Sequence, residues 1–118
     1  MSKYDEAAAA SLTTDQTLEL LADGRRRNAV AALRETDGAA TLGELAAATA
    51  ARLDDVDRPA VPTDRRERVA ASLHHSHLPK LADAGVVEYD PGESRVVLTE
   101  TAAELEPYFE VIERRFSE

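Results

Sequence analysis

The chain contains no cysteine, which excludes a disulfide framework and a thiolate metal site. Aromatic residues are only 4% of the total, so the core must rest on small helix-to-helix contacts more than on ring packing. No apolar run approaches the length that spans a bilayer, and no membrane partner is expected. Residues 1–10 carry Asp5 and Glu6 and lack a signal-peptide pattern, so the expected location is cytoplasmic. There is no glycine-rich phosphate loop, no cysteine nucleophile and no motif pairing a serine with an acid and a histidine. The chain is therefore not expected to be an enzyme, and nothing in it points to a cofactor or a small-molecule ligand. Lysine is scarce too: 2 Lys stand beside 12 Arg and 23 acidic residues.

What is present suits one globular domain. The 118 residues can bury a core of modest size, and 43% of them are apolar, many of these alanine. The net charge of −9 argues at first sight against nucleic acid. However, an acidic, lysine-poor composition is typical of proteins from salt-accumulating archaea, where excess acid keeps a protein dissolved in concentrated KCl. An ordinary acidic protein is the alternative. The charge is also uneven. Between Asp23 and Arg34 four Arg face one Asp, and between Asp64 and Lys80 three Arg and one Lys face Asp64 and Glu67, with all three His in the same stretch. Local sign, rather than the total, decides what can approach a phosphate backbone.

Caps and periodicity predict a mainly α chain with a small β-hairpin. Residues 1–12 read as a flexible arm. Thr13 with Gln16 has capping-box spacing ahead of a first helix, with Leu18 and Leu21 on one face. Asp23 caps a second helix from Gly24 to about Glu35, with Ala29, Val30 and Leu33 inward and Asp37-Gly38 as its stop. Thr41 with Glu44 opens a third helix to about Leu53, followed by an acidic, proline-bearing loop from Asp54 to Pro62. Thr63 or Asp64 caps a long fourth helix buried through Val69, Leu73, Leu78 and Leu81, stopped by Gly85 and interrupted by Pro79 near His75–Ser76. Val86–Tyr89 and Arg95–Leu98 flank a turn and form the hairpin. Thr99 caps a last helix from Glu100, which Pro107 breaks near its start. In it Leu105, Phe109, Ile112 and Phe116 recur at the spacing of a coiled-coil-like seam.

This order of elements, with Leu81-Ala82-Asp83-Ala84-Gly85-Val86-Val87-Glu88-Tyr89, resembles the junction of recognition helix and wing in winged-helix regulators. Leu20–Arg26 and Thr41–Ala46 resemble the segments opening the second helix and preceding recognition in ArsR-like repressors. With Ser72–Asp90 and Leu98-Thr99-Glu100 added, the chain is most similar over residues 13–108 to a haloarchaeal winged-helix family of largely unknown function, ArsR/MarR-like in fold. The resemblance implies a winged helix-turn-helix domain over 13–99, a C-terminal helix over 100–118, and binding of double-stranded DNA as a homodimeric transcriptional regulator. The segment between Arg52 and Ala71 is longer than in ArsR-like chains, which can displace the reading helix.

In helix-turn-helix proteins the second helix reads base edges while other groups hold phosphates. The candidates here are Arg65, Arg66, Arg68, Ser72, His75 and Ser76, with Arg95 on the wing. The plainer reading is that these arginines pair with local acids and solvate a face. Arg25, Arg26 and Arg27 are candidate phosphate contacts, at least one of them favoured for folding back onto a helix end. Asp90 and Glu93 oppose a DNA contact by Arg95. His74 and His77 lie one turn apart, but no third strong ligand completes a metal site. The final helix is the expected dimer interface through Leu105, Phe109, Ile112 and Phe116, unless these pack on their own domain. A protein-interaction module on the same fold is the competing function, supported by the acidic total.

Overall fold

The structure is a computed structural model that describes residues 12–117, with side chains through residue 112. The arm expected over residues 1–12 therefore lies outside the described residues except for Leu12, whose N–H donates to Glu104 Oε1 at 2.8 Å. The chain is mainly helical with a small three-stranded antiparallel sheet.

Helix α1 (Thr14–Ala22) opens on the expected capping box between Thr13 and Gln16. Its inward face is Thr17, Leu20 and Leu21, whereas Leu18 is 55% exposed. The expected pairing of Leu18 with Leu21 is thus corrected: the two sit three apart, but only Leu21 turns inward. Helix α2 (Gly24–Glu35) starts at Asp23 and buries Ala29 through Leu33. It packs against α3 (Leu42–Asp54), whose buried face is largely Ala46, Ala48, Ala50 and Ala51. Alanine on both faces lets the two helices approach closely, which is how a chain nearly without rings fills its centre.

The strand β1 (Ala39–Thr41) was not expected, because alanine has little preference for strands. It forms because Asp37 and Gly38, both at positive φ, turn the chain back onto the open edge of the hairpin. There Ala40 pairs with Val96, and the amide of Leu98 donates to the carbonyl of Gly38 at 2.7 Å. The hairpin is β2 (Val87–Asp90) and β3 (Arg95–Leu98), with Tyr89 opposite Val96, and β3 is the central strand. Thr41 ends β1 and caps α3 through a second box with Glu44.

After a short 3-10 turn (Arg58–Ala60), helix α4 (Thr63–Ser72) begins behind Pro62 with no side-chain cap. The expected cap by Thr63 or Asp64 is corrected, since both already lie inside the first turn. A π-turn (Leu73–His77) and helix α5 (Leu78–Asp83) continue the rod. Pro79 explains the interruption. It has no N–H to give the preceding turn, and the amide of Leu78 reaches five residues back to the carbonyl of Leu73. A proline inside a helix costs about 3 kcal/mol. Full burial of Leu73, Leu78 and Leu81 on either side outweighs that, at about 1.5–3 kcal/mol for each.

Thr99 is not the expected cap. Its hydroxyl donates to the carbonyls of Gly85 and Val86, tying the end of β3 to the end of α5. A 3-10 turn (Glu100–Leu105) follows, and helix α6 (Glu106–Ser117) starts only at Glu106, with Pro107 in its first turn where the missing N–H costs nothing. Leu105 and Phe109 are buried in the chain's own core, Phe109 at 2% exposure under the Arg34 guanidinium. The expected dimer seam is corrected accordingly: these two side chains have no surface left for a partner. Ile112 packs partly against the same core, and the side chain of Phe116 lies outside those described.

Candidate nucleic-acid interface

The surface in question is the outer side of α4 and the π-turn, flanked by the start of α2 and by the hairpin. Val69 and Leu73, both fully buried, anchor the rod and fix which side chains turn outward. Arg66, Glu67, Arg68, His75 and Ser76 are exposed, and so is Asp64 in the first turn, where the helix dipole favours a carboxylate.

The three arginines of α4 differ sharply. Arg65 is committed inside the fold: its Nε and Nη2 donate to the two carboxylate oxygens of Asp54, both at 2.9 Å. This fork holds the Asp54 carboxyl below its ordinary value and pushes the guanidinium of Arg65 up. The fork to the neighbouring α3 thus uses two of the five N–H groups of Arg65, a side chain that the sequence reading offered as a DNA contact. Arg68 lies 3.7 Å from Asp64 with both side chains mostly in water, a geometry that costs little to give up. Arg66 is exposed and makes no ion pair among the described residues.

The cluster at the start of α2 is mostly turned inward. Arg26 is 8% exposed. Its Nε donates to the Leu20 carbonyl at 3.0 Å, its Nη2 to the Glu19 carbonyl at 2.8 Å, and its Nη1 lies 3.5 Å from Nδ1 of His77. Arg27 donates from Nη1 to the Leu21 carbonyl at 2.7 Å. These carbonyls end α1, which has no basic residue in its own last turn and needs donors there. Arg26 and Arg27 therefore help close the end of α1, the folding-back role expected for at least one member of this cluster. Arg25 differs: it is exposed, and its Nη1 donates to Ser72 Oγ at 3.0 Å. That bond brings a cation from α2 alongside α4 and uses the hydroxyl of Ser72.

Beneath this surface Asp23 and His77 are coupled. Asp23 accepts the amides of Arg25 and Arg26 at 2.8 and 3.3 Å and lies 3.9 Å from His77 Nε2. Burial opposes ionisation of Asp23, but those two amides and the nearby cations together hold its carboxyl below the ordinary value. Burial pushes the His77 imidazole down; Asp23 works against this, while Arg26, Arg25 and Lys80 add to it. With Arg26 as donor, Nδ1 of His77 accepts, and the neutral ring carries its proton on Nε2 toward Asp23. His74 is also engaged, with its Nδ1 2.7 Å from the hydroxyl of Tyr89 and its ring edge-on to His75. His75 and Ser76 remain exposed. Among the described residues no group of three His, Asp or Glu side chains could hold a metal ion.

The hairpin adds mixed charge. Arg95 is exposed and sits opposite Asp90 in the β2–β3 register. The turn is closed by Asp90, whose Oδ1 accepts the amide of Glu93 at 3.2 Å. Glu88, Asp90 and Glu93 are all exposed, so acids outnumber Arg95 there. Of the side chains that sequence reasoning offered as DNA contacts, Arg66, Arg68, His75, Ser76 and Arg95 are exposed. Sequence reasoning missed the Arg25–Ser72 bond and the Arg65–Asp54 fork, since neither pair lies at helical spacing.

A family model described as a domain of unknown function, DUF7344, matches residues 18–97. The match runs from α1 through most of β3 and so includes all of α4, the π-turn and the turn of the hairpin. No curated protein and no solved structure matches the chain.

Proposed function

The chain belongs to the DUF7344 family, and we propose that it is a winged-helix, DNA-binding transcriptional regulator acting in the cytoplasm of a halophilic archaeon. The order α2, β1, α3, α4, hairpin supports the winged-helix reading. On this reading α3 and α4 are the helix-turn-helix, and β2–β3 is the wing. The acidic, lysine-poor composition supports the halophilic source. Helix α4 with the π-turn enters the major groove, which admits one helix.

The observation that carries the reading is that two exposed cations belong to this helix or lie against it: Arg66, which makes no ion pair among the described residues, and Arg25, whose guanidinium donates to Ser72. Two cations, with His75 and Ser76 further along, offer donors to phosphates and base edges. Fluorescence anisotropy with double-stranded genomic fragments, from low to molar KCl, tests this. Binding should weaken as salt rises, and Arg25→Glu with Arg66→Glu should abolish it. Binding that ignores this double reversal overturns the reading. Mapping of the protein on chromosomal DNA then tests the regulatory role.

A second reading, a protein-docking module on the same fold, is favoured by the neutralised Arg65 and by the three exposed acids of the hairpin. Absence of DNA binding at every salt concentration, with a tight protein partner recovered, selects it.

A further inference from the structure

We propose that His77 is a proton-operated latch: neutral, it locks the rod of α4, the π-turn and α5 against the start of α2, and on taking up a proton it lets that joint open. The latch is read from the fold alone, whereas its effect on DNA rests on the nucleic-acid reading above.

Of the three histidines only His77 is buried, at 7% exposure. The wide turn before Pro79 brings two consecutive side chains, His77 and Leu78, to the inner side of the rod, and turns of this kind gather at functional sites. The ring stands between two groups that the fold already holds. Nη1 of Arg26 lies 3.5 Å from Nδ1, while Nε and Nη2 of the same guanidinium are fixed on the carbonyls of Leu20 and Glu19. Oδ1 of Asp23 lies 3.9 Å from Nε2 and also accepts the amides of Arg25 and Arg26.

The neutral ring suits this seat and the charged ring does not. A neutral imidazole offers one acceptor and one donor, which match the Arg26 donor and the Asp23 acceptor. An imidazolium has two donors, so its Nδ1–H meets the Nη1–H of Arg26 head-on, cation against cation. Asp23, capping α2, is the acid facing the ring; Arg26 and Arg25 from α2 and Lys80 from α5 oppose it. Glu19 of α1 and Asp83 of α5 line a pocket shared with Arg26 and Lys80. His74, on the same turn, is bonded to Tyr89. The charged ring has two ways out. Leaning onto Asp23 takes that carboxylate from the amides that start α2. Swinging outward pulls the turn off α2. Either loosens the joint that also carries the bond from Arg25 to Ser72, the residue just before the turn. His77 is thus a positioning residue, which sets where Arg25 stands against α4.

Nuclear magnetic resonance of the full chain between about pH 7.5 and about pH 5 tests the latch. At the upper end the His77 ring should carry its proton on Nε2 and none on Nδ1. As the ring titrates, the amides of Arg25, Arg26 and Ser72 should shift together and their protection from exchange should drop about tenfold or more, while Leu33 and Leu45 in the core stay protected. His77→Gln should abolish this step: its side-chain amide still accepts from Arg26 and donates to Asp23, but takes up no proton. Anisotropy with double-stranded genomic fragments at fixed KCl over the same range reads the consequence. Protonation of the exposed His75 alone would tighten binding to phosphates, so the sign is diagnostic. The affinity of the natural chain should fall in acid by about fivefold or more, and that of His77→Gln should not. Amides that respond to acid identically in both chains overturn the latch, as does a His77 ring that takes its proton with no response at Arg25 or Ser72. Affinity that tightens in acid for both chains overturns its role at DNA. A joint that opens in acid on a chain that binds no DNA at any pH keeps the latch and removes the regulator reading. Amides indifferent to pH on a chain that binds DNA do the reverse.

Discussion

Two arginine clusters, Arg25-Arg26-Arg27 and Arg65-Arg66-Glu67-Arg68, look alike in the sequence and each lies in the first turns of a helix. In the first, Arg26 and Arg27 are spent on backbone carbonyls, and Arg25 alone reaches the surface of a neighbour. In the second, Arg65 is spent on Asp54, while Arg66 and Arg68 stay in water. What separates them is the element just upstream. Helix α1 ends immediately before Asp23 with carbonyls to satisfy, and the same Asp23 starts α2, so the next arginines fall within reach of that helix end. Helix α4 follows a loop and meets only the carboxylate that closes α3. A basic cluster is thus available to a partner only to the extent that its own fold leaves it idle.

The largest effect should come from breaking the buried cluster. Arg26→Met keeps the stem but leaves the carbonyls of Glu19 and Leu20 without their donors. A loss of about 3 kcal/mol is expected, seen as a melting temperature lower by more than about 10 °C. Arg25→Met, one residue away but exposed, should stay within about 0.5 kcal/mol. Equal losses in thermal melts of the two variants would erase the distinction. Asp23→Ala comes next, at about 1–2 kcal/mol, because it removes the cap of α2.

This contrast also marks how far the sequence could be read. Helices α1, α2 and α3 were legible because Thr13–Gln16, Asp23 and Thr41–Glu44 are local signals acting within four residues. The buried stripe Val69, Leu73, Leu78, Leu81 survived a π-turn because the extra residue enters between Leu73 and Leu78, and Pro79 announced the break. Strand β1 was not legible, since Ala39 and Ala40 become a strand only through an edge offered by Val96 and Val97. The commitments of Arg65 and Arg26 were equally hidden, because Asp54 and the end of α1 become partners only after packing. The apolar spacing of α6 was real, but spacing alone does not say whether Leu105 and Phe109 face the chain's own core or a partner.

Acid should sharpen the comparison by acting on the buried side first. Burial, with Arg26, Arg25 and Lys80, holds His77 below its ordinary 6.5. The unfolded chain therefore binds this proton at higher pH than the folded one. Stability from His77 is whole above pH 6.5 and declines as pH falls through the folded value. Asp23 behaves alike in a lower window: its folded carboxyl lies below 3.8, so its contribution is present above that pH and lost beneath it. Denaturant unfolding as a function of pH should show both declines. His77→Gln should flatten the upper one and leave the lower. An unchanged slope below pH 6.5 in that variant would mean the ring is not buried neutral against Arg26.

The smallest effect on stability, and the most informative for the open side, belongs to Arg66 and Asp54. The exposed side chain of Arg66 makes no ion pair among the described residues, so Arg66→Ala should leave the melting temperature unchanged. If α4 meets phosphates, the same variant should weaken DNA binding and reduce the salt slope by about one counterion. Asp54→Ala should do the opposite: it releases Arg65 from its fork, adds a free cation to the same helix, and steepens the slope by a similar amount. Anisotropy titrations at several KCl concentrations measure both slopes. If freeing Arg65 changes nothing while losing Arg66 does, the groove-facing side of α4 is the one that carries Arg66, away from α3. If neither slope moves, the idle arginines of α4 are merely solvated, and the difference between the two clusters is one of folding alone.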